Sequence, residues 1–218
     1  MNDFDDVAVG EDINYATTDT TEWSDFDEIV EEIPLVSDSA SETTDFDSTE
    51  AEKAAEYARS FGFDKAADYI ERHYDGDVFV PGEPIPITTR NMGLDGDVSD
   101  NGVPFERRTA DLSEGLTVEG VFPDFESRHH VELGSEAKDM SLHQQFSACR
   151  ADFQDHMYDD PDILDGITFE AMERMDSPQG YTPEGFTWQH NPETGSFDLV
   201  SQEDHAVGHT GGNALWGC

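Results

Sequence analysis

Apolar residues recur at helical spacing in some stretches of the chain and alternate at strand spacing in others. Between residues 50 and 74, Ala54, Tyr57, Ala58 and Phe61 fall on one stripe, and Ala66, Tyr69 and Ile70 on the next. Gly62 separates them, so the pattern predicts two short helices. Residues 78–87 hold three Pro and one Gly, which predicts a linker, over 76–87, into a second unit. Leu116, Val118, Gly120 and Phe122 alternate with Thr117, Glu119 and Val121, an imperfect period of two that predicts a strand ended by Pro123. Leu142, Phe146, Cys149, Phe153 and Met157 step by 4, 3, 4 and 4, predicting one apolar helical stripe over 136–158, stopped by Pro161. A shorter helix is expected from an N-cap at Thr168, with Phe169, Met172 and Met175 turned inward. Near the C-terminal end, 186–190 reads as an aromatic strand, 191–195 as a turn and 196–200 as a second strand. Ser201-Gln202-Glu203-Asp204 then has capping-box form before a short helix that Gly211-Gly212 would end. This is a ββα unit, and the predicted class is α+β.

Charge changes the picture. The 218 residues carry 51 acidic and 11 basic side chains, a net charge of −40. That excludes a conventional basic nucleic-acid-binding domain and a membrane binder with a polybasic face. Low hydrophobicity with high charge has two sources: disorder, or adaptation to molar salt, where screening shortens to about 3 Å and surface carboxylates cease to repel. Residues 1–50 hold 17 acids and no Lys or Arg, whereas 101–150 hold 9 acids and 5 bases. The excess thus runs through segments with clear periodicity. The expectation is a salt-adapted protein in a high-salt environment with an acidic disordered arm over 1–49. The arm is either a solubilising tail or an interaction segment docking through 29–36. The helical segment is placed at 50–75.

Cys149 and Cys218 form no disulfide framework or Cys-type zinc site. No stretch approaches the 18 apolar residues of a membrane span. The first nine residues lack a positive n-region, so no classical signal peptide is expected; a cytoplasmic location and export by another route both stay open.

His190, His205 and His209 are three of the eight His and lie in the ββα unit. A spacing of four would put His205 and His209 on one helix face, able to bind a divalent cation at about 2.0–2.1 Å. Surface His pairs share this spacing, so the pair alone leaves both readings open.

The residues here resemble a known family. Gly185-Phe186-Thr187-Trp188-Gln189-His190-Asn191, Phe197-Asp198-Leu199-Val200, Asp204-His205, Gly208-His209-Thr210-Gly211-Gly212 and Ala214-Leu215-Trp216-Gly217 resemble the HNH nuclease toxins marked by a Trp-His-His motif. That family lies within the HNH/endonuclease VII superfamily, whose ββα-metal domains form C-terminal warheads of polymorphic toxins. The similarity continues through Gly102-Val103-Pro104-Phe105, Gly120-Val121-Phe122-Pro123-Asp124-Phe125-Glu126-Ser127, Gln145-Phe146 with Cys149, and Thr182-Pro183-Glu184-Gly185. It covers 88–218 and implies a nuclease domain there.

The resemblance implies a metal-dependent DNA endonuclease with His190 as the general base. It also implies His205 and His209 as ligands of one divalent metal (Zn, Mg, Mn or Ni), which stabilises the phosphorane and the leaving 3′-oxygen. DNA and a cognate immunity protein are the implied partners, with no membrane. One position departs: the family's first His of the motif is Gln189 here, whose carbonyl oxygen is a weak zinc ligand but suits a harder ion. The charge departs too, since no Lys or Arg follows Arg174. Candidate phosphate contacts are Arg90, Arg107, Arg108 and Arg128, with surface ion pairing as their alternative role. His73, His129, His130, His143 and His156 match no catalytic position and read as surface residues. The competing reading is a degenerate nuclease fold that binds DNA or a protein.

Overall fold

The helices α1 (Ser48–Ser60) and α2 (Asp64–His73) form a hairpin, as their two apolar stripes predict. Gly62 turns the corner at φ +79°, a left-handed conformation that costs glycine little. Ala54, Ala55, Ala58, Ala66 and Ala67 are fully buried, and these small side chains allow close helix packing. The computed structural model describes residues 48–157, 161–164, 166–170, 172 and 182–217. The acidic arm and the 29–36 stretch lie outside the described residues, as does Met175.

The 76–87 stretch does more than link. Ile85–Pro86 is a short strand, β1, that pairs in parallel with β3 (Leu116–Pro123), and Ile85 and Ile87 are buried. On its other side β3 pairs antiparallel with β2 (Phe105–Ser113). In β2 only Phe105, Ala110 and Leu112 are buried, so its charged exposed face hid it from a hydrophobicity pattern.

A second sheet has the order β4-β6-β5, all antiparallel, from β4 (His129–Glu132), β5 (Phe186–His190) and β6 (Ser196–Ser201). Helix α3 (Leu142–His156) lies against it through Cys149 and Phe153, both fully buried. The helix begins six residues later than the spacing predicts. Ser141 and Gln144 form a reciprocal capping box, and 135–139 is a separate 3-10 turn. Phe169, expected inside, is 69% exposed, while Met172 packs on the core.

One hydrophobic cluster joins Ala58 and Ile70 of the hairpin, Val118 and Phe122 of the first sheet, Phe197 and Leu199 of the second, and Leu215 and Trp216 near the C-terminus. The class is α+β, and no described helix is long and apolar enough to cross a membrane.

Because the hairpin and the ββα unit share that core, Ile70→Ala should cost about 2–5 kcal/mol and Phe197→Ala about 3–5 kcal/mol. Each should shift one common urea transition. Two separable transitions, each sensitive to only one substitution, would show instead that the two parts fold independently.

Candidate active site

The hairpin β5–β6 pairs His190 with Phe197, Gln189 with Asp198 and Trp188 with Leu199. Asn191 locks its end by donating to Asp198 Oδ2 (2.6 Å) and Ser196 Oγ (3.2 Å), and Trp216 Nε1 donates to the Asn191 carbonyl (3.0 Å). Successive strand residues face opposite ways. At the strand end the two neighbours Gln189 (3% exposed) and His190 (7% exposed) therefore reach different partners while lining one cleft of about 570 Å³.

Gln189 Nε2 donates to the His190 carbonyl at 2.8 Å, which turns Oε1 the other way. The backbone of Gly211 crosses the amide so closely that a Cβ there would stand 2.7 Å from Nε2. Oε1 then lies 2.7 Å from His205 Nε2 and 3.1 Å from His209 Nε2.

The two histidines meet, but not on one helix face. Ser201 caps α4 (Gln202–His205), accepting from the Glu203 and Asp204 amides, and the helix stops at His205. The chain leaves because Val207 packs into a small apolar cluster with Val103, Phe105 and Val121, and Asn91 Nδ2 donates to the Gly208 carbonyl. The loop then returns His209, so the imidazoles sit 5.1 Å apart with Phe125 against both, at 5.9 Å and 5.1 Å. The chain continues into α5 (Gly212–Leu215).

His209 Nδ1 lies 2.8 Å from the Val207 carbonyl, which can only accept, so Nδ1 carries the proton. The neutral ring then presents a lone pair at Nε2 toward Gln189 Oε1, itself an acceptor. Two acceptors facing at 3.1 Å repel unless a cation lies between them. Protonation is opposed, since burial first and the nearby Arg90 second lower the His209 pKa. Burial, with His209 adding to it, takes His205 down to about 4. A donor set of two neutral imidazoles and one amide oxygen fits a divalent metal, and the backbone bond fixing the His209 tautomer is typical of a metal ligand.

His190 stands apart from this set. Its Nε2 is 2.9 Å from Gln145 Oε1, and Gln145 Nε2 donates to the Ala137 carbonyl at 2.7 Å. Gln145 Oε1 therefore accepts a hydrogen bond from His190 Nε2–H, and Nδ1 is left as the ring's proton acceptor. Phe146, Phe197 and Trp216 enclose the ring. Burial, then Lys65, then His205 lower its pKa to about 4. Gln145 had a sequence signal that the pattern reading passed over: it lies four residues before Cys149 and eight before Phe153, a polar residue on the buried stripe.

Among the expected phosphate contacts, Arg107 pairs with Asp95 (2.9 Å) and Glu119 (3.6 Å), and Arg108 pairs with Glu193 (3.2 Å) over the Phe122 ring. These two and Arg128 do not line the cleft. Arg90 does not line the cleft either but sits beside the loop that carries His209: a Cβ on Gly208 would collide with its guanidinium, and its backbone N–H donates to Thr210 Oγ1 at 2.9 Å. Two histidines read as surface residues are engaged. The His129 side chain is 10% exposed with Nε2 2.7 Å from Asp152, and His130 bonds Asp198 and Glu132. His129, Asp152 and His156 bring donor atoms within 4.8 Å of one another and could hold a divalent ion.

The ββα unit brings Gln189 Oε1, His205 Nε2 and His209 Nε2 together in one cleft with His190. Residues 114–211 match the family model described as the DNase/tRNase domain of colicin-like bacteriocin, so this segment is similar to a nuclease toxin domain. No curated protein and no solved structure gives a significant match.

The lowered His values bear on stability without metal. An unfolded His titrates near 6.5, whereas His190 and His205 titrate at about 4 in the fold. The unfolded chain thus binds more protons between these values, so stability is full above about pH 6.5 and declines as pH falls toward 4. Calorimetry of EDTA-treated protein should show Tm dropping over that interval, with a shallower drop in His190→Gln. An unchanged slope in the variant would remove His190 from the effect.

Proposed function

We propose that the chain is a metal-dependent DNA endonuclease of the HNH type, with toxin-like use and a cognate immunity protein as its protein partner. The observation that carries this is the convergence of Gln189 Oε1, His205 Nε2 and His209 Nε2 beside a separately held His190. The match to a DNase/tRNase domain supports the reading.

His205 Nε2, His209 Nε2 and Gln189 Oε1 would hold the metal; when bound, it supplies charge neutralisation for the phosphodiester transition state and its leaving 3′-oxygen. Neutral His190 takes a proton from the attacking water at Nδ1, while Gln145 holds Nε2–H and keeps the ring from turning. Enclosure by Phe146, Phe197 and Trp216 favours the uncharged base before reaction. Arg90, on the His209 side, meets the substrate phosphate. Arg107, Arg108 and Arg128 serve at most as outlying contacts, since the first two are already bound to carboxylates. We place the nuclease in a high-salt setting, where hydrogen bonds and metal outweigh long-range attraction to phosphate.

The amide at position 189 also suits a second reading, a fold that binds without cutting. Nicking of supercoiled plasmid with Mg²⁺, Mn²⁺, Zn²⁺ or Ni²⁺ supplied singly, in low and molar KCl, with tRNA in parallel, separates the two. Cleavage of DNA is expected; cleavage of tRNA alone would reassign the substrate, and none with any metal would leave the binding module.

Within the active protein, His190→Ala should abolish nicking with metal affinity kept, whereas His205→Ala and His209→Ala should each weaken metal binding at least tenfold. Gln189→His should favour transition metals over Mg²⁺. Calorimetric titration measures all four. Equal metal loss in His190→Ala would make His190 a ligand, and an unaltered metal preference in Gln189→His would put residue 189 outside the coordination sphere.

A further inference from the structure

The helical hairpin precedes both the matched segment, 114–211, and the segment of family resemblance, yet α2 reaches the cleft. Lys65 and Tyr69 lie four apart and so share one face of α2. Tyr69 Oη donates to the Thr88 carbonyl and accepts from Thr210 Oγ1, both at 3.0 Å, and Thr210 in turn receives the Arg90 N–H. This fastens α2 to the loop carrying His209. One turn earlier, Lys65 Nζ donates to the Gly217 carbonyl at 2.8 Å. Gly217 lies against the His190 ring so tightly that a Cβ would stand 3.1 Å from His190 Cδ2.

The ammonium is therefore held one glycine away from the His190 ring, and two of its three N–H donors stay available. It lines the same cleft as His190, His205 and His209, and it makes no ion pair among the described residues. Several other cations of this acidic chain are tied to carboxylates, namely Lys53, Arg59, Arg107, Arg108 and Lys138. A cation without a carboxylate partner among the described residues, lining a cleft in a chain of net charge −40, fits an anionic ligand.

We propose that Lys65 contacts a DNA backbone phosphate on the His190 side of the cleft, which makes α2 part of the nuclease rather than a preceding segment. The proposal rests on the nucleic-acid reading of the cleft but not on turnover.

The test uses the full chain carrying His190→Ala, so that binding is read without cleavage. Anisotropy of a labelled 20-bp duplex is followed from 0.1 to 1 M KCl, with and without Lys65→Met. The expected result is at least fivefold weaker binding in Lys65→Met and a salt slope shallower by about one unit. Tm and metal affinity should match the parent, and Lys65→Arg should restore binding. Affinity and slope equal to the parent would overturn the proposal, as would a loss that Lys65→Arg fails to rescue. In the otherwise wild-type chain, Lys65→Met should raise KM for the same duplex. If the wild type cuts no nucleic acid while Lys65→Met still weakens duplex binding, the nuclease reading fails and the phosphate contact stands.

Discussion

Gln189 Oε1 and His209 Nε2, two acceptors held 3.1 Å apart, set the arrangement of the C-terminal half. Neither can turn away. The amide is held by the His190 carbonyl and the Gly211 backbone, and the imidazole by the Val207 carbonyl. A polar contact that repels in isolation, yet is fixed from both sides, fits the cation site proposed here. The features around it follow: a helix cut short after His205, a loop that returns His209, and Phe125 wedged against both rings.

His190, the proposed base, is held by different means. His190 lies in an aromatic enclosure and is oriented by one long-range hydrogen bond from α3, so its proton is assigned to Nε2 by Gln145. Adjacent on one strand, Gln189 and His190 reach different partners, the first His205 and His209 and the second Gln145.

Charge is distributed by the same economy. An exposed surface rich in carboxylates holds Lys53, Arg59, Arg107, Arg108 and Lys138 in local pairs, each contributing little to stability. Arg90 and Lys65 have no carboxylate partner among the described residues, and both lie where the loop 208–217 meets earlier parts of the chain. The core has the same character: the helical hairpin, both sheets and Trp216 share one cluster.

Periodicity alone determined the helical hairpin, the body of α3, β3 and the strand-turn-strand at 186–200, because each buries a face with a regular repeat. The motif residues from Gly185 to Gly217 likewise carried the resemblance on which His190, Gln189, His205 and His209 were singled out. Strands β1, β2 and β4 were not legible, since each buries too few residues for a period to show: two in β4's case would have been needed, and Val131 is its single buried residue. The four-residue spacing of His205 and His209 predicted that they meet, and they do, but by a different route. A helix face was expected, but burial of Val207 ended the helix and a loop brought the rings together. Only the tertiary structure could place Gln145 on His190, or Lys65 beside Gly217, contacts spanning 45 and 152 residues. Local pattern records which face of an element is buried; which distant side chain meets it there is decided by packing.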